Sequence, residues 1–199
     1  HVHIWKTIHD RKDEFALVIE DDVIISKKLK PVIEAAIPYL SEDNICFVSM
    51  QVHKPIQFDE KKELPHQYFL CDCNGSIEGA RGTQAYIVSR KVAGKLAEAL
   101  YPVKYNVDTW PVYQQKGYFR NISVIFPFPV IHGEFLSDLH EESFTWRRSL
   151  KENIKSLVYR YKLWPFYNYF LFVRRKRVER RHRQNIFFNG KKITKTFKL

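Results

Sequence analysis

Three adjacent carboxylates, Glu20, Asp21 and Asp22, follow the apolar run FALVI in the segment "FALVIEDDVII". Adjacent like charges repel one another, so such a cluster is stable in a solvated turn or where a cation neutralises it. Carboxylate oxygens are the ligands that Mg²⁺ and Mn²⁺ prefer, and both ions keep positions open for phosphate. Glu20 and Asp22, separated by one residue, can turn both side chains to one side of an extended turn. The residues alone leave two interpretations: a metal site or a solvated turn.

The elements around this turn predict an α/β fold. Apolar runs of strand length alternate with segments of helical periodicity, and helices are then expected on the faces of one sheet. Ligands of such sheets gather at the carboxyl ends of strands, where the three acids lie. The predicted strands are FALVIE, NICFVSM, HQYFLCD, 83–88 and FRNISVIFP; the predicted helices are 1–12, KKLKPVIEAAIPYL, 90–100 (with Ser89 as N-cap) and TWPVYQQKG.

Composition limits the class of protein. The 199 residues are 45% hydrophobic and 15% aromatic, which is typical of a folded domain with one core. The sequence contains no apolar run of membrane-spanning length, no signal-peptide pattern, no Walker loop and no G-x-G-x-x-G motif. Three cysteines without a metal-type pair predict reduced thiols in a cytosolic protein. The chain starts at His1 inside a predicted helix, so we expect an upstream portion to be absent.

Charge is distributed unevenly along the chain. Residues 147–199 carry 17 Lys and Arg against two acids, whereas residues 1–146 carry 16 against 20. We therefore expect a core at 1–140 and an aromatic and basic, helical C-terminal region at 141–199, in which "IFFNGKKI" predicts a hairpin. "LWPFYNYFLFV" followed by "RRKRVERRHR" favours attachment of residues 163–183 to an anionic membrane surface. A solvated basic helix and binding to nucleic acid are the alternatives.

Three motifs in order carry a resemblance. "FALVIEDDVII", "RGTQAYIVSRKVAGKL" and "VKYNVDTW", within residues 1–135, resemble glycosyltransferase family 25, the lipooligosaccharide galactosyltransferases of Gram-negative bacteria and their animal collagen-modifying relatives. The resemblance implies a GT-A-like (Rossmann-like nucleotide-sugar) core, here without its N-terminal portion. It also implies a nucleotide-sugar donor and an acid-x-acid motif that places a divalent metal on the donor diphosphate.

On that resemblance, the acid-x-acid positions are Glu20 and Asp22, with Asp22 the first choice as metal ligand and Asp21 beside the donor. The expected cofactor is Mn²⁺, with Mg²⁺ as the alternative. His132 is a further candidate ligand, because GT-A enzymes often use a late histidine. A structural or surface histidine is the competing interpretation.

The segment Arg81, Gly82, Thr83 and Gln84 is the candidate donor-binding segment. Arg81 suits a phosphate, Gly82 permits close approach of a ligand to the backbone, and Thr83 or Gln84 suits sugar hydroxyls. A turn before an edge strand explains the same residues equally well.

A transferase that inverts the anomeric centre also needs a base for the acceptor hydroxyl. Asp108 matches the acid of the third motif, and Trp110 is the candidate platform on which an acceptor sugar stacks. The alternative for Asp108 is the N-cap of a helix. Glu134 and Asp138 are weaker candidates for the base.

The resemblance therefore implies transfer of a hexose, galactose from UDP-galactose, to a lipid-linked lipooligosaccharide core. UDP-glucose or an N-acetylated donor would need the same metal turn. The enzyme is expected in the cytoplasm, peripheral on the inner face of the bacterial inner membrane, with no nucleic-acid partner. Two other classes remain open: a non-catalytic membrane- or polyanion-binding remnant of a transferase, and a metal-dependent nuclease.

Overall fold

The computed structural model describes residues 1–52, 57–73, 80–102, 105–132, 157–158, 160–170, 172–173, 183–188 and 190–197. These residues belong to two compact units, 1–133 with 183–199, and 134–182. Glu134, Asp138 and much of the region predicted as helical at 141–199 lie outside the described residues. No helix within the described part is long and apolar enough to cross a membrane.

A six-stranded mixed sheet forms the centre of the first unit. Its strand order is β1-β7-β3-β8-β6-β5, and the predicted α/β class is confirmed. The strands are β1 (Phe15–Ile19), β3 (Ile45–Val52), β5 (Glu60–Leu64), β6 (Tyr68–Cys73), β7 (Ala80–Ser89) and β8 (Ile122–Phe126), with the short strands β2 (Val23–Ile25), β4 (Gln57–Phe58) and β9 (Val130–His132) outside it.

Strand direction places the chemistry at one edge. β7 is antiparallel to both β1 and β3, and β3 is parallel to β8. β1, β3 and β8 therefore run in one direction, and their carboxyl ends meet at the same edge as the start of β7. The β2–β9 pair continues from the ends of β1 and β8, with Val23 opposite His132. The expectation that the acidic turn follows a strand at a carboxyl-end edge is confirmed.

Helices cover both faces of the sheet. They are α1 (Val2–Asp10), α2 (Leu29–Ala36), α3 (Arg90–Ala99) and α4 (Trp110–Gln115). One buried cluster unites Trp5, Leu96 and Trp110 with the sheet, and a second places α2 on the opposite face. Ser89 caps α3 as predicted, because its hydroxyl accepts a hydrogen bond from the Val92 N–H at 3.0 Å.

The predicted hairpin exists, but it belongs to the first unit. β10 (Arg183–Phe188) and β11 (Lys191–Thr196) pair around a two-residue turn, in which Gly190 has a φ of +73°. Ile186 and Phe197 are buried, and β10 pairs with β4. Residues 183–199 therefore belong to the same compact unit as the core, whereas the domain prediction placed them in a separate C-terminal region at 141–199.

The hairpin is attached beside the site edge by one side chain. The carboxamide of Gln184 accepts a hydrogen bond from the Phe128 N–H and donates to the Phe128 carbonyl at 3.4 Å. Phe128 lies between β8 and β9, the strand that carries His132. The Gln184 side chain thus satisfies the backbone N–H and carbonyl of Phe128, which lie outside both strands. The two hydrogen bonds fix the connection between β8 and β9.

The second unit is described only in part. Residues 157–158, 160–161, 166–170 and 172–173 are helical. The Tyr167 N–H donates to the Leu163 carbonyl at 2.8 Å, and the Tyr169 N–H to the Pro165 carbonyl at 3.2 Å. These are helical i to i−4 bonds, and they fix the faces of the segment from residue 165 onward.

Candidate active site

The acidic turn and the segment 81–84 lie side by side, although some 60 residues separate them in the chain. The Glu20 N–H donates to the Gln84 carbonyl at 3.0 Å, continuing the β1–β7 ladder. The Thr83 hydroxyl donates to Glu20 Oε1. The structure thus brings together two groups of residues that the sequence indicated separately.

Asp22 and His132 form the second contact of this edge. His132 Nε2 lies 3.1 Å from Asp22 Oδ2, and both side chains are about half exposed. The pairing of β2 with β9 produces this contact, because His132 lies opposite Val23, the residue after Asp22. Two of the three residues predicted as metal ligands, Asp22 and His132, are therefore neighbours, whereas the third, Glu20, points its carboxylate toward Thr83.

The donor set fits a divalent cation in part. Asp22 Oδ1 is buried and has no hydrogen-bond partner among the described residues, and an unsatisfied buried carboxylate oxygen is costly. A cation beside Asp22 would satisfy that oxygen, and a neutral imidazole nitrogen is a common metal ligand in proteins. No group of three His, Cys, Asp or Glu side chains able to hold a metal occurs within the described ranges. Asp22 and His132 thus supply two ligands, which leaves further positions for a ligand's own oxygens.

Gly82, in the segment 81–84, has a backbone conformation that favours glycine. Its φ is +94°, and a Cβ atom there would collide with the carboxamide oxygen of Gln84. Gln84 is itself buried, and its Oε1 has no partner in the part of the chain that the structure describes. Two buried, unsatisfied acceptors, on Asp22 and Gln84, therefore lie near one sheet edge.

We expect Gly82→Ala to lower the free energy of unfolding by about 1–3 kcal/mol, because a φ of +94° is unfavourable for a residue with a Cβ atom and the carboxamide of Gln84 must shift to make room. Gly117→Ala is the matched control, since Gly117 has a φ of +76° but open space around its Cβ position. Urea-induced unfolding of both variants measures the difference. If both variants lose the same free energy of unfolding, the Gln84 side chain shifts at little cost and the packing around Gly82 is not tight.

Arg81 lies at the rim of the same edge. It is exposed and stands opposite Gln51 in the β3–β7 register. A guanidinium in that position is accessible to a phosphate at the edge. Asp21 is also exposed, in the turn between β1 and β2.

Sequence reasoning missed the polar group behind Glu20. The hydroxyl of Tyr86 accepts a hydrogen bond from Trp5 Nε1 at 2.9 Å and lies 3.0 Å from His1 Nδ1. His1 Nε2 in turn lies 3.7 Å from Glu20 Oε1. Burial raises the pKa of Tyr86 well above its usual range, so its hydroxyl keeps its proton. In the sequence, Tyr86 lies within an apolar run, and nothing in that pattern predicts that its hydroxyl joins a polar group behind Glu20.

Asp108 does not cap a helix. Thr109 is the N-cap residue of α4, and Asp108 lies in the preceding turn, partly exposed. The N-cap alternative is therefore wrong at that residue. Asp108 lies two residues before Trp110, whose indole N–H donates to the Gly82 carbonyl at 2.8 Å. This bond ties the turn to the site edge.

Trp110 corrects a prediction. Its side chain is 0% exposed, so it has no face to offer an acceptor sugar. The ring instead packs edge-on against Phe47 and Tyr86, with both centroids 5.2 Å away. In the pattern TWPVYQQ, Trp110 is the first residue of a short helix, and its side chain anchors that helix to the hydrophobic core.

Cys46 and Cys71 are poorly suited to act as nucleophiles. Cys46, Cys71 and Cys73 are all buried. Burial raises the pKa of Cys71 to about 12 and that of Cys46 further. The chemistry of the described edge therefore rests on carboxylates, imidazole and hydroxyls.

Comparison with known families decides the class. The model of "Glycosyltransferase family 25 (LPS biosynthesis protein)" matches residues 1–110, which is more than half of the chain. The chain belongs to glycosyltransferase family 25. A comparison with curated proteins returned no match. The suspected resemblance is thus confirmed, and the chain is a hexosyltransferase of a family that acts in lipopolysaccharide biosynthesis.

The match covers most of the site of this family 25 transferase. It includes the acidic turn, the segment 81–84 and Asp108, and it ends at Trp110. His132 lies beyond the matched residues. The structure alone places His132 beside Asp22.

Proposed function

We propose that this family 25 transferase moves galactose from UDP-galactose to a hydroxyl of a lipooligosaccharide core, with inversion, in a reaction that depends on Mn²⁺ or Mg²⁺. The site would be built on a GT-A-like core. The observation that carries the proposal is the Asp22–His132 pair, 3.1 Å apart, with the buried and unpartnered Asp22 Oδ1 at an edge that also presents Arg81.

Asp22 and His132 are the residues that would hold the cation, and Arg81 would bind the diphosphate. A bound cation would supply Lewis-acid stabilisation of the charge that develops on the departing diphosphate. Glu20 has a different task. Its carboxylate accepts a hydrogen bond from Thr83 and lies near His1, which holds it in place to accept a hydrogen bond from a hydroxyl of the donor.

The proposed reaction is a single displacement. The acceptor oxygen forms a bond to the anomeric carbon, the bond from that carbon to the phosphate oxygen breaks, and UDP leaves. The hydroxyl proton goes to the carboxylate of Asp108, the candidate base. The Trp110–Gly82 bond supports this assignment, because it holds the turn that carries Asp108 against the donor-facing segment.

Asp108→Asn tests the base. We expect about a 10²–10⁴-fold loss of kcat, because the amide cannot take the proton, and unchanged Mn²⁺-dependent UDP binding. Asp10→Asn, at the end of α1, is the matched control and should keep full activity. Rates are measured as UDP release with UDP-galactose and a lipooligosaccharide acceptor that lacks its terminal sugar. Unchanged kcat in Asp108→Asn would remove Asp108 from the mechanism.

The donor sugar is tested in the same assay. UDP-galactose, UDP-glucose and UDP-N-acetylgalactosamine are compared by kcat/KM, with each product identified by mass and linkage analysis. The proposal expects UDP-galactose to give the highest kcat/KM. A higher value for either other donor would correct the sugar and leave the metal site as proposed.

A further inference from the structure

The second unit exposes an unusual amount of apolar surface. Seven of the fourteen exposed large hydrophobic side chains within the described residues lie between 157 and 172, although this stretch is less than a tenth of the chain. Single exposed hydrophobic residues are normal on soluble proteins, but clusters mark interaction sites. The seven are Leu157, Tyr161, Leu163, Trp164, Phe166, Tyr169 and Phe172.

The helical hydrogen bonds sort these residues into faces. Phe166, Tyr169 and Phe172 recur every three residues and share one side of the helical segment. Tyr169 is 63% exposed and Phe166 is 59% exposed. The half-buried residues Tyr167, Phe170 and Val173 follow them around the helix. The side turned to solvent is therefore aromatic, the reverse of the pattern expected for a surface helix. We call Trp164, Phe166, Tyr169 and Phe172 the aromatic face.

Trp164 extends the face at its N-terminal end. It is 79% exposed, more than any other large hydrophobic side chain among the described residues. An indole has an apolar body and one N–H donor, and tyrosine combines a ring with a hydroxyl. Such side chains are enriched at the boundary between lipid headgroups and acyl chains.

Charge around the face selects its partner. Arg160 and Lys162 are exposed, and residues 157–173 contain no acid. The sequence continues with seven Lys and Arg against one acid in residues 174–183. Aromatic rings at headgroup depth and cations on lipid phosphates are the two contributions that hold a protein on an anionic bilayer. The exposed aromatic side chains together with the surplus of positive charge favour an anionic bilayer over a partner that is bound by charge alone.

We propose that the aromatic face is a membrane-docking surface that inserts Trp164, Phe166 and Tyr169 into the headgroup region of an anionic bilayer. Docking requires neither donor nor metal, so it is independent of the transfer reaction. It would hold the enzyme at the surface where a lipid-linked acceptor is presented.

The test uses the full chain and vesicles of phosphatidylcholine, with and without phosphatidylglycerol. Truncation at residue 174 is unsuitable, because it removes the hairpin whose Ile186 and Phe197 are buried in the core. The variant instead combines Trp164→Ser, Phe166→Ser and Tyr169→Ser, and its fold is checked by circular dichroism. Tyr39→Ser with Tyr101→Ser is the control, since both tyrosines are exposed elsewhere.

We expect the wild-type chain to float with the anionic vesicles, and the triple variant to bind them at least about tenfold more weakly. The control should bind within about twofold of wild type. Lipids brominated on the upper acyl chain should quench tryptophan fluorescence, and Trp164→Phe should remove that quenching.

Three results would overturn the proposal. They are absence of vesicle binding by the wild-type chain, equal binding by the triple variant, and binding without quenching. Nucleic acid is tested with a single-stranded RNA oligonucleotide, and a second copy by sedimentation velocity. If the triple substitution weakens RNA binding or dissociates a dimer while vesicle binding stays unchanged, the face has that other partner.

Discussion

Replacing Trp110 by alanine will lower the free energy of unfolding by about 3–5 kcal/mol, the loss typical of a buried aromatic side chain. The indole is fully enclosed, and its N–H donates to the Gly82 carbonyl at 2.8 Å. The variant loses both the packing and that bond. The rings around it are Trp5, Phe47, Tyr86, Tyr113 and Phe119.

Two further variants separate the contribution of packing to stability from that of the hydrogen bond. Trp110→Phe keeps much of the packing but leaves the Gly82 carbonyl without its donor, for a loss of about 1–3 kcal/mol. Trp164→Ala removes an exposed indole and should stay within about 0.5 kcal/mol of wild type. Urea-induced unfolding followed by circular dichroism gives all three values. If Trp110→Ala keeps its stability and only raises the KM for the acceptor, Trp110 is a sugar platform after all.

Asp22→Asn will reduce transfer about 10²–10³-fold, because the amide keeps the shape of the side chain but loses the charge that holds a cation. Asp21→Asn is the matched control: Asp21 is the exposed neighbour in the same turn, and its loss should change the rate less than about threefold. Initial rates of UDP release over a titration of Mn²⁺ measure both. A larger loss of rate in Asp21→Asn than in Asp22→Asn would mean that Asp21 is the metal ligand. The proposed metal site of Asp22 and His132 would then be wrong.

The same substitution has a readout without catalysis. Asp22 Oδ1 is buried without a partner among the described residues, so the change to an amide need not lower stability in the absence of metal. Added Mn²⁺ should raise the melting temperature of the wild-type chain and not that of Asp22→Asn, since only a bound ion stabilises the folded state. An equal rise in both chains would place the cation elsewhere.

Local signals in the sequence predicted much of the fold. The apolar runs became β1, β3, β6, β7 and β8, the cap at Ser89 starts α3, and the Asn-Gly pair turns a hairpin. β2, β4, β5 and β9 were not predicted. Strands of two or three residues, and the charged segment EKKEL, show no clear alternation of apolar and polar residues. The place of the hairpin was also missed, since Gln184 attaches it through a contact that no local pattern encodes.

The candidate site residues were named from the sequence, which also linked Asp22 and His132 through one metal, but the strand pairings that bring residues together at this edge were not predicted. Asp22 and His132 meet only because two three-residue strands pair, and these strands are too short to be recognised in a sequence. Glu20 and Thr83 meet because β1 and β7 are neighbours, which is a matter of strand order. Trp110 was assigned to the wrong environment, because one aromatic residue before a proline fits both a sugar platform and a core anchor.

The central claim is that Asp22 and His132 hold a cation for a nucleotide diphosphate. Calorimetric titration of UDP into the full chain tests it most directly, with Mn²⁺ and with a chelator, and then with Asp22→Asn and His132→Ala. We predict UDP binding that requires Mn²⁺ and that weakens at least about tenfold in each variant. Equal affinity with and without Mn²⁺, unchanged affinity in both variants, or no binding under any condition would contradict the claim.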